Sequence, residues 1–180
     1  LLARGAPPSV RDRAWYFLAK IRYQRGLLPD ASAALGRIEH VLPEPLEDDR
    51  KLLQANVAMA LGDNATASKI LTPIAGPRGT DLYARFNLGV AMIRSGDVAH
   101  GTNVLDDLGR LTMPDEESRA LRDKANVALG FAAMKAGKPV AARDYLQRVR
   151  LQGLQANAAL LGFGWAADAV STRRIGTATR

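Results

Sequence analysis

The sequence predicts an all-α chain assembled from repeated helical hairpins, and three observations carry that reading. Alanine and leucine dominate, aromatic residues make up only 6% and long β-branched runs are missing, a composition that favours helix over sheet. Four glycines, Gly26, Gly62, Gly96 and Gly137, recur at steps of 36, 34 and 41 residues. Around each of them the same residue types return at fixed offsets. Seven residues before stand Ala19, Ala55, Gly89 and Gly130, and five after stand Ala31, Ala67, Gly101 and Ala142. Leu35, Leu71, Leu105 and Leu146 follow four residues later, then Ile38, Ile74, Leu108 and Val149. Self-similarity at such a period is the mark of a repeat architecture.

The offsets translate into two helices joined by a tight turn. The anchor glycine suits the left-handed cap that ends a helix, and short polar turns follow it in "GLLPD", "GDNAT", "GDVAH" and "GKPVA". Small residues on either side then meet across the hairpin, Ala19 with Ala31 and Gly130 with Ala142. Lacking bulk, they let two helices approach near the short end of the ~8–10 Å range, and the leucine one turn on seals the joint.

Nine helices are predicted in order. The first, 9–25, opens on "SVRD" with capping-box spacing at Ser9 and stops before Gly26. The second, 29–42, takes Pro29 in its first turn, where a missing N–H costs nothing. Prolines and acids in "PEPLEDD" start the third, 46–61. The fourth, 65–75, follows "NAT" at Asn64, which reads as turn capping and not as a glycosylation acceptor. The fifth and sixth, 80–95 and 98–111, flank Gly96. The seventh, 113–136, opens at Thr112 of "TMPD" and is longer than its counterparts, which accounts for the 41-residue step. Pro139 starts the eighth, 139–152. The ninth, 155–170, is a first helix with Gly162 in the small-residue place and no partner after it.

Within residues 12–43, Trp15, Leu18, Ala19, Gly26, Ala31, Leu35, Ile38 and Pro43 fall where tetratricopeptide repeats carry their signature, and "NLGVAMIRSG" and "ALGFAAMKAG" supply the Leu-Gly of the family's first helix. Over about residues 12–154 the chain resembles a bacterial member of that family. It departs at the tryptophan place, held by Lys51, Arg85 and Asn126, and at the tyrosine place, held by Arg22, Ala58, Met92 and Ala133. The resemblance implies an αα-hairpin solenoid, a right-handed superhelix of about 4.5 repeats forming one domain over 1–180. Its units are 12–45, 46–79, 80–112 and 113–154, with a half unit at 155–170. A start at Leu1-Leu2 without methionine and the missing last helix lead us to expect a piece of a longer chain.

Several function classes find no support. The net charge of +7 is spread as +3 over 1–44, 0 over 45–78, −1 over 79–112, +3 over 113–154 and +2 over 155–180. A nucleic-acid binder concentrates its cations on one stripe, so a helical-repeat RNA-binding protein is kept only as the alternative, beside an interaction module of a larger enzyme. There is no cysteine, hence no disulfide and no thiolate metal site. His40 and His100 stand 60 residues apart and read as helix-surface residues, so no metal is expected. "GFGWAA" has the letters of a dinucleotide fingerprint but no strand before it, and "AMKAGKP" lacks the first glycine and the hydroxyl of a phosphate loop, so no cofactor is expected either. The acids of "EDD" at Glu47–Asp49 and "DEES" at Asp115–Ser118 sit where a helix dipole favours them. With no Ser-His-Asp or Cys-His set, the chain is expected not to be an enzyme. No apolar run approaches membrane-spanning length. The compartment stays open between a bacterial cytoplasm and the periplasm or envelope.

In the resembling family the first helix of each unit lines a groove that holds a peptide or partner helix. Helical spacing turns Arg13, Tyr16, Lys20 and Tyr23, then Asp49, Leu52, Asn56 and Met59, away from the second helices. Tyr83, Phe86, Asn87, Val90 and Ile93 do the same, as do Lys124, Val127, Phe131 and Met134. The expected function is thus a non-catalytic protein-binding scaffold. Its aromatic and methionine side chains would give contact area, while Arg13, Lys20 and Lys124 steer acidic flanks. The family's carboxylate clamp does not map, because Phe17, Leu53 and Tyr83 hold clamp places other than those of Lys20 and Asn56. Leu160, Leu161, Phe163 and Trp165, without a hairpin mate, predict a surface for self-association.

Overall fold

The structure, a computed structural model, describes residues 5–75 and 82–178, the last seven by backbone alone. Leu1-Leu2 and the expected helix start at residue 80 lie outside the described residues. Among the described residues there are nine helices and no strand. They are α1 (Pro8–Gln24), α2 (Leu28–Leu35), α3 (Leu46–Ala60), α4 (Asn64–Ala75), α5 (Leu82–Ser95), α6 (Val98–Arg110), α7 (Glu116–Lys135), α8 (Pro139–Leu146) and α9 (Ala156–Ala178). The chain is therefore all-α, and it divides into two compact units, Leu1–Val98 and Ala99–Arg180. In the first, α1 packs on α2, α3 on α4 and α4 on α5, while α3 also touches α1 and α5. In the second, α7 packs on α8, and α9 lies against both.

The anchor glycines end the helices as their sequence pattern requires. Gly26, Gly62, Gly96 and Gly137 have φ of +74°, +88°, +101° and +67°, a region that no described non-glycine residue enters. At Gly26 the N–H bonds to the Tyr23 carbonyl and the next N–H, of Leu27, reaches back to Arg22. The same pair of bonds recurs at Gly62–Asp63 and Gly137–Lys138. This is the Schellman arrangement, which satisfies carbonyls that the helix end leaves open.

The small residues are inside. Ala19, Ala31, Ala55, Ala67 and Ala142 are fully buried, and Gly89, Gly101 and Gly130 are buried too. Ala19 and Ala31 share one core cluster with Leu35, Leu53 and Val57, and Ala55 and Ala67 share another with Leu71 and Leu88. Gly130 faces a leucine across the hairpin. Its closest facing side chain is the sealing leucine: a Cβ there would stand 2.5 Å from Leu146 Cγ. Ala142 clusters with Ala133 and Ala166.

Two second helices are shorter than predicted. Instead of 29–42 and 139–152, α2 and α8 have eight residues each, against 12 in α4 and 13 in α6. In both short cases a buried aspartate takes over where the helix stops. Asp12, 3% exposed, accepts from the backbone N–H groups of Glu39 and His40 and lies 2.9 Å from His40 Nδ1. Asp123, fully buried, accepts from Arg150 Nε at 2.7 Å and from Arg122. Both acids stand 14 residues before their anchor glycines, Gly26 and Gly137. One register position thus secures the chain that follows each short helix. His40 is accordingly not a helix-surface residue but part of this clasp.

Burial opposes ionisation of Asp12, and the bonds from His40 and from two backbone N–H groups outweigh it, holding the carboxyl below its ordinary range. A depressed acid contributes stability above its unfolded pKa and loses it as pH falls through the folded value. The thermal midpoint should therefore drop as pH falls from about 5 to about 2.5. Asp12→Asn should be less stable at the upper end of that range yet lose less on acidification. Parallel acid profiles for the two proteins, by circular dichroism, would remove Asp12 from this role.

Helix starts also differ in detail. Ser9 caps nothing, because α1 begins at Pro8 behind Pro7 with no side-chain cap. The start of α7 is Asp115, whose carboxylate accepts from Ser118 N, so Thr112 lies outside and the helix begins at residue 116 and not 113. Asp63, not Asn64, caps α4 by accepting from Thr66 N. No proline interrupts α9 after residue 170, and it continues to Ala178.

Candidate functional site

Along α1, residues 16, 20, 23 and 24 follow helical spacing, and along α3 residues 49, 52, 53 and 56 do so too. Each set forms one stripe. Because α1 and α3 pack side by side, the two stripes face a shared opening. It is a pocket of about 250 Å³ lined by Tyr16, Lys20, Tyr23, Gln24, Asp49, Leu52, Leu53 and Asn56. Six of the residues expected on the outward faces, Tyr16, Lys20, Tyr23, Asp49, Leu52 and Asn56, thus come together. Gln24 and Leu53 were not expected there; the i, i+4 relation of Lys20 to Gln24 and of Asp49 to Leu53 is the signal that places them.

The polar character of this face continues onto α5. Asn87 Nδ2 donates to Asn56 Oδ1 at 2.8 Å, tying the outer faces of α3 and α5 together. Tyr83, 47% exposed, lies on the same helix, and Val90 is half-buried. Arg13 is exposed on α1 outside the pocket lining, and Met59 and Tyr23 pack partly against the cores.

Two expected contact residues require correction. Tyr16 is 2% exposed and packed among Ala19, Leu53 and Val57, so its ring is wall and not an arm that reaches a partner. Burial, and then the Asp49 carboxylate, raise its phenol pKa. Phe86 is 8% exposed and is core as well. Residues two apart stand about 200° apart around a helix, so the joint burial of Ala84, Phe86 and Leu88 means that α5 is covered on more than one side.

In the second compact unit the α7 face is partly taken up by α9. Phe131 meets Trp165 edge-on, with ring centroids 6.4 Å apart, and a Cβ at Gly162 would stand 3.2 Å from Phe131 Cζ. Met134 packs on the Ala133, Ala142 and Ala166 cluster, and Val127 and Phe163 pack on Leu146, Val149 and Ala159. Lys124 remains exposed. Leu160, Leu161 and Trp165 are more than half exposed, whereas Phe163 faces inward and leaves the set expected to self-associate. Gly162 lies inside a helix against Leu146, which removes the dinucleotide reading of "GFGWAA".

Two further acids are held in structural hydrogen bonds. Glu47 is not merely a first-turn acid: it is 3% exposed, accepts from Leu42 N at 3.1 Å and from Arg50 Nε at 2.9 Å. The Arg50 hydrogen bond holds its carboxyl below the usual range against the opposing effect of burial. Burial opposes ionisation of Asp106 too, but Arg148 and Arg110 overcome it. Stronger acids held by arginines are poor general acid–base groups near neutral pH. Among the described residues no group of three or more metal-ligating side chains occurs, and no helix is long and apolar enough to cross a membrane.

No protein-family model, curated protein or solved structure matches the chain. What fold and site define is an all-α protein of packed helical hairpins with an amphipathic pocket on the outer face of α1 and α3.

Proposed function

We propose that the chain is a non-catalytic protein-binding scaffold of tetratricopeptide-like repeats, an αα-hairpin solenoid whose first helices receive a peptide or partner helix. The observation that carries the reading is the pocket between α1 and α3, formed by first-helix residues alone. Support comes also from the left-handed anchor glycines and from small residues buried at the repeat's offsets. Such a site works by surface complementarity: Leu52 and the tyrosines offer apolar area, and Lys20, Asp49 and Asn56 fix orientation.

The test is site-specific photo-crosslinking in the producing cells. A benzoylphenylalanine replacing Gln24, at the pocket, is expected to trap a protein partner, while one replacing the exposed Arg143 of α8 is not. Adducts from position 143 with none from position 24 would reject the first-helix face as the binding surface.

A further inference from the structure

Three acids open α3 in succession, and they differ in what neutralises them. Glu47 is bonded to Arg50, and Lys51 Nζ lies 3.7 Å from Glu47 Oε1 and 3.8 Å from Asp48 Oδ1. Asp49 has turned to the other side of the helix, where it lines the pocket, and has no ion pair among the described residues. Across the opening stands Lys20 of α1, which likewise has no acidic partner among them. Two opposite charges therefore line one small cavity without neutralising each other. Leu52 and Leu53 line the same cavity. Asn56 uses its carbonyl oxygen on Asn87, leaving its amide N–H groups for a ligand oxygen.

We propose that this pocket recognises a dipolar stretch of peptide: an arginine or lysine drawn to Asp49, beside an aspartate or glutamate drawn to Lys20. The inference rests on the scaffold reading and deepens it. Like-charge juxtaposition penalises the alternatives. A wholly acidic segment sets its charge against Asp49, a wholly basic one against Lys20, and a phosphate-bearing ligand meets the same Asp49 carboxylate. The aliphatic stem of an arginine or lysine would cover Leu52 and Leu53 while its head stays at the charged rim. A cavity of about 250 Å³ accommodates side chains and not a folded surface.

The experiment uses fluorescein-labelled, terminally capped octapeptides of constant alanine–leucine background. Their two central residues are Arg-Glu, Glu-Arg, Arg-Gln, Gln-Glu or Gln-Gln, and binding to the full chain is read by fluorescence anisotropy. One of the two oppositely charged probes is expected to bind about tenfold tighter than either singly charged probe. Asp49→Asn should abolish the advantage of the base and Lys20→Gln that of the acid, with the helical circular dichroism unchanged because both side chains are exposed. The exchange Asp49→Lys with Lys20→Asp should reverse which order of the pair is preferred. Equal affinities for all five probes, no saturable binding, or discrimination that survives both single variants would overturn the proposal. If the position-24 crosslink persists in the exchanged variant at its original yield, the scaffold reading stands and the dipolar one falls; loss of that crosslink in the wild-type chain removes the scaffold reading itself.

Discussion

Asp123→Ala is expected to destabilise the second compact unit by about 1.5–3 kcal/mol, the usual result of removing a buried acceptor that is hydrogen-bonded to charged groups. Asp123 is fully buried and its two oxygens serve different arginines, Oδ1 accepting from Arg122 and Oδ2 from Arg150. Alanine leaves the guanidinium groups without that acceptor and opens a polar void where Gly153 had allowed close approach. A Cβ at Gly153 would stand 3.1 Å from Asp123 Oδ2, so the local backbone is built around this carboxylate. The thermal midpoint of the transition belonging to residues 99–180 should fall by roughly 10 °C or more. Hydrogen exchange should quicken first in residues 147–153, the stretch that follows α8. Asp123→Asn keeps an acceptor but loses the charge, and should fall between alanine and the parent. Glu116→Ala is the control: Glu116 is an exposed partner of the same Arg150, and its loss should move the midpoint far less. An Asp123→Ala midpoint within a degree or two of the parent would show that the short α8 is secured by other contacts.

This clasp is also where the sequence pattern ceases to specify the structure. The anchor glycines were legible because a left-handed cap demands one residue type, and a fixed demand repeated four times stands out. The buried alanines and leucines were legible for the same reason, since each repeat must bury the same stripe. Asp12 and Asp123 occupy one offset as well, yet the intervening repeats carry Asp48, which is exposed, and Leu82 there. A carboxylate is compatible with solvent, a helix start or a buried clasp, and only the length of the second helix distinguishes these. Helix length is not legible there because "RIEHV" and "RVRLQ" contain no proline to stop the pattern. The same ambiguity affected the binding face. Helical spacing puts Tyr16 and Phe86 on the outer side of their helices, but Tyr16 packs among Leu53 and Val57 of α3 and Phe86 is buried as well. Which outer residues remain open depends on how closely successive helices pack, and that distance is not written in any single helix. Lys20, Asn56 and Tyr23 remained at the pocket; Tyr16 became its wall.

Gly130→Ala should destabilise the protein even though alanine is favoured over glycine inside a helix by about 1 kcal/mol. The intrinsic gain applies only where a methyl group has room. At Gly130 the new Cβ would stand 2.5 Å from Leu146 Cγ and 2.6 Å from Cδ2. Contact with a branch carbon cannot be relieved by swinging the end of a chain, and Leu146 is itself 2% exposed. Gly162 of α9 closes the other side, where a Cβ would already approach Leu146 Cδ1 to 3.0 Å. Leu146 is thus held between two glycines, one from α7 and one from α9. Overpacking of this kind costs about 1–3 kcal/mol, which exceeds the propensity gain for all but the smallest values. Urea denaturation should therefore show a net loss, and Gly130→Ala combined with Leu146→Val, which removes one methylene, should recover part of it. Gly164→Ala gives the opposite control: nothing lies within 4 Å of its Cβ position on the same kind of helix, so propensity alone should act and stability should rise slightly. If Gly130→Ala also stabilises, the glycine is not there to admit the leucine, and the account of how α7 and α8 seat against each other has to be replaced.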